Sequence, residues 1–266
     1  RRVRKRERLI ETSPQLNTKE LTDHPRRIQI RIIDLLAWMT GTSMIMAGYQ
    51  LFRGSEAPSE IVKTVQVVSQ LIFSGIYGAA LAGAGFAVAR VFRSGKLSPA
   101  HWLLLIIAFT VVASFALWSW YSRWGSSEVF DDRRFAIAQL LMAAVNVASG
   151  VAFLLLAVII HDTARWTALF IGFGLMDLLL ALLHGLLVWS LWATEFYAFF
   201  DLPGFGRLST MGIALIWLSV VALLDLRGPP RRDGLHWTGV CVQLANLSAS
   251  LCNHIWWMWI FHLFDD

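Results

Sequence analysis

Seven long apolar segments dominate this sequence and restrict what the chain can fold into. An α-helix needs about 20 predominantly apolar residues to cross the hydrocarbon core of a bilayer. Because a spanning helix satisfies its own backbone hydrogen bonds, the sequence predicts an all-α integral membrane protein with seven transmembrane helices. The segments are Ile32–Phe52, Val65–Val91, Trp102–Tyr121, Phe135–Ile160, Trp166–Trp192, Thr210–Leu226 and Trp237–Leu263.

The composition supports one membrane domain preceded by a basic tail. Only 15% of the 266 residues are charged and 56% are hydrophobic, whereas a soluble protein carries roughly 25% charged residues. Residues 1–29 differ, because they hold nine of the 23 Lys and Arg residues. We expect residues 1–29 to form a cytoplasmic tail beside anionic lipid rather than to bind nucleic acid, and residues 30–266 to form the membrane domain.

The loop charges and the tryptophans predict the orientation of the chain. Basic residues are concentrated on the side of the tail, and the positive-inside rule therefore places the N-terminus inside and the C-terminus outside. Trp102, Trp166 and Trp237 open alternate segments, where we expect them to anchor the inner interface. The basic residues on the predicted inner side are Arg90, Arg93, Lys96, Arg165, Arg227, Arg231 and Arg232.

Two further expectations concern packing and charge. Gly75, Ala79 and Gly83 are spaced by four residues in the second segment, which is typical of a close helix–helix contact. Asp225 lies near the inner end of the sixth segment, where we expect it to reach water or Arg227.

Polar residues recur at helical spacing inside three of the segments. The last segment carries four of them at steps of three and four, which places them on one face of a helix, with a histidine beside them. Such a face is costly in lipid, so it is expected to look into protein. The predicted polar bundle interior consists of Asn146, Asp177, His184, Gln243, Asn246, Ser250, Asn253 and His254.

The two histidines of this set leave three interpretations open. His184 and His254 lie at a similar predicted depth, so they suit a haem or metal pair if their helices touch. They also suit simple hydrogen bonding in a polar interior, or a proton or ion pathway together with Asp177. The sequence contains no phosphate-binding glycine loop and no recognisable Ser–His–Asp set, so no catalytic, cofactor-binding or metal-binding residue is predicted.

Several segments resemble subunit III of the haem–copper terminal oxidases, the cytochrome c oxidase type. The stretches NVASGVAFLLLAV (Asn146–Val158) and ARWTALFIGFGL (Ala164–Leu175) are similar to the fourth and fifth helices of that family. The stretch WATEFYAF (Trp192–Phe199) resembles the exit of its fifth helix, with Glu195 as the family-like acidic residue of the outer loop. ALWSWYS (Ala116–Ser122) and HWTGVCVQLANLSASLCNHIWWMWIF (His236–Phe261) resemble the aromatic ends of its third and last helices.

The chain departs from that family at its ionisable positions. The buried glutamate of the family's third helix would fall near Phe109, and Gln243 and Asn253 would replace an acidic pair in the last helix. The histidine of the last helix would fall at Ser250, and the paired histidines of helix six are absent from Thr210–Leu226. These changes remove titratable groups and weaken the expectation of a role in proton uptake.

The resemblance implies a non-catalytic, stabilising subunit of a haem–copper oxidase or a related respiratory complex. Such a subunit binds no haem or copper itself, packs against a catalytic subunit that holds them, and can hold structural phospholipid in a cleft between its first two helices and the other five. The first segment also looks like segments of uncharacterised bacterial membrane proteins, which implies the bacterial cytoplasmic (inner) membrane. The alternatives are a structural or assembly membrane protein and a small-solute or ion transporter that uses Asp177 and His184.

Overall fold

The chain folds into α-helices throughout the part that the structure describes. The computed structural model describes residues 32–51, 60–94, 97–124, 132–160, 163–192, 202–228 and 232–264. These residues form seven helices, which confirms the all-α prediction and the number of helical segments. The helices are α1 (Ile32–Leu51), α2 (Glu60–Ser94), α3 (Pro99–Trp124), α4 (Asp132–Ile159), α5 (Ala164–Trp192), α6 (Leu202–Arg227) and α7 (Gly234–Phe264).

Five of these helices, α2 to α6, are long and apolar enough to cross a membrane. Their outward faces carry large apolar side chains such as Phe92, Val158 and Ile216, each more than 60% exposed. Contact of such faces with hydrocarbon has no free-energy cost, whereas their exposure to water is unfavourable. The chain is therefore a multi-pass membrane protein, while the spans of α1 and α7 and the orientation remain predictions.

Local signals explain where two of the helices begin. Pro99 opens α3, a position where the missing backbone N–H costs nothing and the fixed φ suits a helix. Asp233 directly precedes α7, and its Oδ1 accepts a hydrogen bond of 2.7 Å from the backbone N–H of His236. This is the bond of an N-cap residue to the third residue of the helix, and it satisfies one of the unpaired N–H groups of the first turn.

Helices α3 to α7 form a closed ring. Each packs on the next in chain order, and α7 returns to pack on α3. The main apolar core fills one end of this ring and takes residues from all five helices, with Trp166, Phe170 and Leu218 among its fully buried members. Burying such a side chain stabilises a core by roughly 1.5–3 kcal/mol relative to exposure to water, and inside a membrane the gain comes mainly from close packing.

Helices α1 and α2 pack outside this ring as a pair. Helix α2 covers the seam between α3 and α7, where Leu104 and Val242 belong to a second, smaller core, and α1 packs on α2. The α1–α2 contact is close because Gly41 lies against Gly78. A Cβ on Gly41 would stand 2.8 Å from the carbonyl oxygen of Gly78, so a larger residue would force the two backbones apart.

Candidate functional site

A cavity of about 950 Å³ opens inside the helix bundle, and polar side chains form part of its lining. Side chains of α2 to α7 line it. It extends from the middle of these helices towards the end at which α2, α4 and α6 begin. The polar side chains that line it are Gln66, Ser69, Gln70, Tyr77, Thr110, Ser114, Gln139, Asn146, Asp177, His184, Thr210, Gln243, Asn246, Ser250 and Asn253.

The polar face of α7 forms one wall of this cavity. Gln243, Asn246, Ser250 and Asn253 all line it, as the spacing of three and four residues requires of one helix face. Gln243 is only 8% exposed. Neither its Oε1 nor the Oδ1 of Asn246 has a hydrogen-bond partner among the described residues. A buried carbonyl oxygen without a donor costs roughly 1–3 kcal/mol, so this wall is suited to a ligand that donates hydrogen bonds.

The opposite wall carries the carboxyl group of Asp177. Ser149 on α4 donates a hydrogen bond of 2.6 Å to Oδ2 of Asp177 on α5. The two helices can approach this closely because Gly150 and Gly174 face each other beside the pair. A Cβ on Gly174 would stand 2.9 Å from the carbonyl oxygen of Gly150. The small-residue contact thus holds Ser149 in place, while the second carboxyl oxygen of Asp177 accepts no hydrogen bond from another described residue.

Of the two histidines that the sequence puts at a similar depth, the structure places His184 in the lining of the cavity. Nδ1 of His184 lies 2.6 Å from Oε1 of Gln139 on α4, and both side chains line the cavity. Because the amide oxygen only accepts, His184 carries a proton on Nδ1. His254 does not line the cavity, and α5 and α7 each pack on α6. His184 is therefore held by an amide of α4 in the arrangement that the structure describes.

Helix α2 supplies a wall that sequence reasoning did not assign. Oγ of Ser69 donates a hydrogen bond of 2.9 Å to Oδ1 of Asn253, which joins α2 to α7. Gln66, Ser69, Gln70 and Phe73 are spaced by three and four residues and line the cavity. This spacing is readable in the sequence, so the polar stripe of α2 was a signal that could have been found.

At the other end of the bundle, a buried carboxyl group organises a charged network. Asp225 accepts a hydrogen bond of 2.8 Å from Nε1 of Trp166 and one of 3.2 Å from Nε of Arg232. Nη2 of Arg165 forms an ion pair of 2.5 Å with Oδ1 of Asp225. Nε2 of His236 lies 3.4 Å from Oδ2 of Asp225. The carboxyl group is thus compensated by two guanidinium groups, as a buried charge requires.

A second carboxyl group, Asp233, ties the loop before α7 to the neighbouring helices. It forms an ion pair with Arg90 of α2, and its Oδ1 lies 3.3 Å from Nε2 of His101 on α3. The backbone N–H of Ser98 donates to Nδ1 of His101, so the ring proton is on Nε2 and is donated to Asp233. Oγ of Ser98 lies 3.1 Å from Nδ1 of His236, which connects the two halves of the network.

These contacts fix the charge states of two groups that lie outside the spans. The hydrogen bond from His101, followed by the backbone N–H of His236 and the charge of Arg90, holds the pKa of Asp233 well below its usual range. Burial, reinforced by the nearby charge of Arg232, lowers the pKa of His236 to about 4. The network therefore contains an ionised Asp233 and a neutral His236 at physiological pH.

Three further points concern metal ligands, Phe109 and the residues that the structure does not describe. Among the described residues, no group of three or more His, Cys, Asp or Glu side chains is placed to hold a metal ion. Phe109, at the position of the family's glutamate, is 51% exposed. Glu195 and the tail of residues 1–29 lie outside the described residues.

Comparison of the chain with protein-family models, with curated proteins and with solved structures gives no match. The site must therefore be interpreted from its own chemistry.

Proposed function

We propose that this protein binds a small polar solute within the membrane and transports it. The observation that carries the proposal is the pair of buried amide oxygens without donors, on Gln243 and Asn246, in the same cavity as Asp177. Small-molecule sites are typically clefts of roughly 300–1,000 Å³ with mainly apolar walls and a few convergent polar groups. The cavity of about 950 Å³ fits that description.

The cost of the polar side chains supports a functional role for them. An acidic residue in the middle of a spanning helix costs roughly 2.5–3.5 kcal/mol on insertion scales. Ordinary packing of α5 against α4 does not need a carboxyl group at Asp177, since Gly150 and Gly174 already provide the close contact. An intramembrane ionisable residue that faces a cavity is the usual mark of a substrate or ion pathway.

The two ends of the bundle differ in a way that suits alternating access. The apolar core and the network around Asp225 close one end, and the cavity extends towards the other. In the predicted orientation the closed end is cytoplasmic. The network would act as the inner gate, since ion pairs can exchange partners without exposing an unpaired buried charge.

A solute panel of several charge classes tests the proposal. Purified protein is titrated with amines, carboxylates, sugars and neutral amides, and compounds that raise the apparent Tm are followed as fluxes into proteoliposomes. Gln243→Leu fills the cavity wall and is expected to abolish both signals, whereas Ala245→Leu on the exposed side of α7 is expected to preserve them. A panel in which no class of solute binds or crosses the membrane would contradict the proposal.

A second candidate is the accessory subunit of an oxidase-type complex that the sequence resemblance implies. The division of the helices into the pair α1–α2 and the ring α3–α7 favours it, because that family separates its first two helices from the other five. Gentle purification would then recover the chain with a haem-bearing partner, while the isolated chain would carry no haem absorbance. A chain that purifies alone from its native membrane would argue for the transporter.

A further inference from the structure

We infer that the solute is an organic monocation whose ammonium group binds at Asp177 and whose apolar part lies against the aromatic wall of the cavity. This inference rests on the proposed function and names its class of substrate. It follows from the charge, the hydrogen-bonding groups and the apolar surface of the cavity.

Apart from His184, which is held by Gln139, the charged side chains among the described residues of the lining have one sign. Asp177 is the only carboxyl group among the described residues that line the cavity, and no lysine or arginine is among them. In an interior of low dielectric, a single uncompensated charge dominates the interaction with any charged ligand. An anion would meet this carboxylate without a basic partner, whereas a cation would neutralise it.

The hydrogen-bonding groups have the same preference. Ser149 occupies Oδ2 of Asp177, and Oδ1 is left to accept from a ligand. The buried oxygens of Gln243 and Asn246 have no donor among the residues that the structure describes. An ammonium group offers up to three N–H donors and no acceptor, so it matches a site of one carboxylate and amide oxygens. A hydrogen bond to a charged group is worth about 1.5–3 kcal/mol.

The apolar lining indicates that the cation is organic. Aromatic rings line the same cavity as the polar groups. An aromatic face attracts an ammonium group within about 6 Å of its centre, so these rings suit an organic cation. The cavity is also far larger than a bare metal ion needs, and its described residues provide no cluster of metal ligands. The aromatic side chains that line it are Phe73, Tyr77, Phe115, Phe135, Phe153 and Phe173.

Ammonium groups occur both in free amines and in the head groups of aminolipids, and the test separates these sources. Benzylammonium, which keeps three N–H donors at neutral pH, serves as the cationic probe and benzoate as the anionic probe, each titrated calorimetrically into purified protein in lipid nanodiscs. One set of nanodiscs contains phosphatidylethanolamine and the other only phosphatidylglycerol. Native mass spectrometry reports whether phosphatidylethanolamine remains bound to the protein.

The expected result is binding of benzylammonium in phosphatidylglycerol nanodiscs. Asp177→Asn should weaken it by roughly 10- to 100-fold, the equivalent of one lost charge-assisted hydrogen bond. Asp34→Asn is the matched control, because Asp34 is also a carboxyl group in a helix but does not line the cavity. The Asp34→Asn variant should bind the cationic probe with the same affinity as the unchanged protein. If phosphatidylethanolamine competes with the probe and is retained in an Asp177-dependent manner, the ammonium group comes from lipid.

Two results would overturn the inference, and they differ in what they leave standing. If benzoate or a neutral solute binds in a manner sensitive to Gln243→Leu while the cation does not, the ammonium assignment is wrong and the solute site remains. If no solute of any charge binds, the proposed function fails with it. An unchanged affinity in Asp177→Asn, with the protein correctly folded by its apparent Tm, would also contradict the role given to Asp177.

Discussion

At the scale of single residues, this protein handles the carboxyl groups of Asp225 and Asp177 in opposite ways. Asp225 is surrounded by Arg165, Arg232 and Trp166, so its charge is compensated within the chain. Asp177 receives one hydroxyl hydrogen bond and faces a cavity. A compensated carboxylate stabilises a local structure, whereas an uncompensated one is held ready for a partner from outside the chain.

The lowered pKa of His236 makes the free energy of unfolding depend on pH. Its pKa falls to about 4 in the folded protein from about 6.5 in the unfolded chain, so only the unfolded state takes up this proton between those values. Stability should therefore decrease as the pH falls from 6.5 towards 4, by at most about 1.4 kcal/mol per pH unit for one proton. The apparent Tm in detergent, measured at intervals from pH 7.5 to 4.5, checks the trend.

His236→Gln is the informative comparison, because it removes the proton and keeps a polar side chain. The variant should show a flatter dependence on pH between 6.5 and 4. The titration of Asp233 does not contribute to the dependence of stability on pH between 6.5 and 4. Its pKa is lowered in the folded state, so its contribution is present above the unfolded value of 3.8 and is lost only at more acidic pH. Equal slopes in the two proteins would show that His236 titrates normally.

Individual partners were the least predictable part of the site. The sequence suggested water or Arg227 as the partner of Asp225, but the structure pairs it with residues from α5 and from the loop before α7. Trp166 was expected to anchor the membrane interface, yet it is fully buried and donates to Asp225. The prediction failed because interfacial and buried tryptophans have the same position along a helix, and only the neighbouring helices distinguish them.

At the scale of helices, close contacts between small residues determine which polar groups meet. The Gly150–Gly174 contact brings α4 and α5 together where Ser149 reaches Asp177. Without a strong hydrophobic force between helices in lipid, such packing and the hydrogen bonds beside it supply the attraction. The polar site and the helix contact therefore depend on each other.

Gly174→Ala is expected to separate α4 from α5. Its Cβ would stand 2.9 Å from the backbone oxygen of Gly150, which cannot rotate away. Overpacking of this kind costs about 1–3 kcal/mol. Gly185→Ala on the same helix is the control, since its Cβ meets nothing within 4 Å. Apparent Tm values should fall only for the first variant, and a loss of equal size in both would contradict the contact.

Helical periodicity predicted the polar faces well, because spacing alone decides which side chains share a face. It did not predict which glycines make contacts. The expected stripe of Gly75, Ala79 and Gly83 is only partly used: a Cβ on Gly83 would meet Leu104, whereas one on Gly75 would meet nothing. The closer approach in α2 is at Gly78, and the carbonyl of Gly75 instead accepts a hydrogen bond from Trp38. Contacts of this kind depend on the partner helix, which spacing within one helix does not identify.

At the scale of the whole molecule, α7 joins parts of the chain that are distant in sequence. It packs on α2, α3 and α6 and carries four of the polar residues of the cavity. The sequence predicted an all-helical membrane protein, because that follows from local composition. The order of the helices in the ring could not be predicted from local composition, since it depends on which helices pack against each other.

The ring predicts that the protein can be assembled from two fragments. Helices that are stable in the bilayer one by one can associate after insertion. Residues 1–230 and 231–266, expressed together with a tag on the first, should therefore purify as a complex. Val240→Trp in the short fragment should prevent this because Val240 is 1% exposed, whereas Cys241→Trp on the exposed side should not. Failure of the unchanged fragments to associate would contradict a ring closed by side-chain packing.

The hydrogen bond between Ser69 and Asn253 spans 184 residues, and this separation has a consequence for biosynthesis. Among the described helices α7 is synthesised last, so the nascent chain inserts Asp177 and most of the cavity's amides before the wall that completes their surroundings exists. The incomplete protein is then a natural target for membrane proteases that recognise unpaired polar groups. A premature stop codon directly before α7 should therefore remove the protein from the cell as effectively as one before α1.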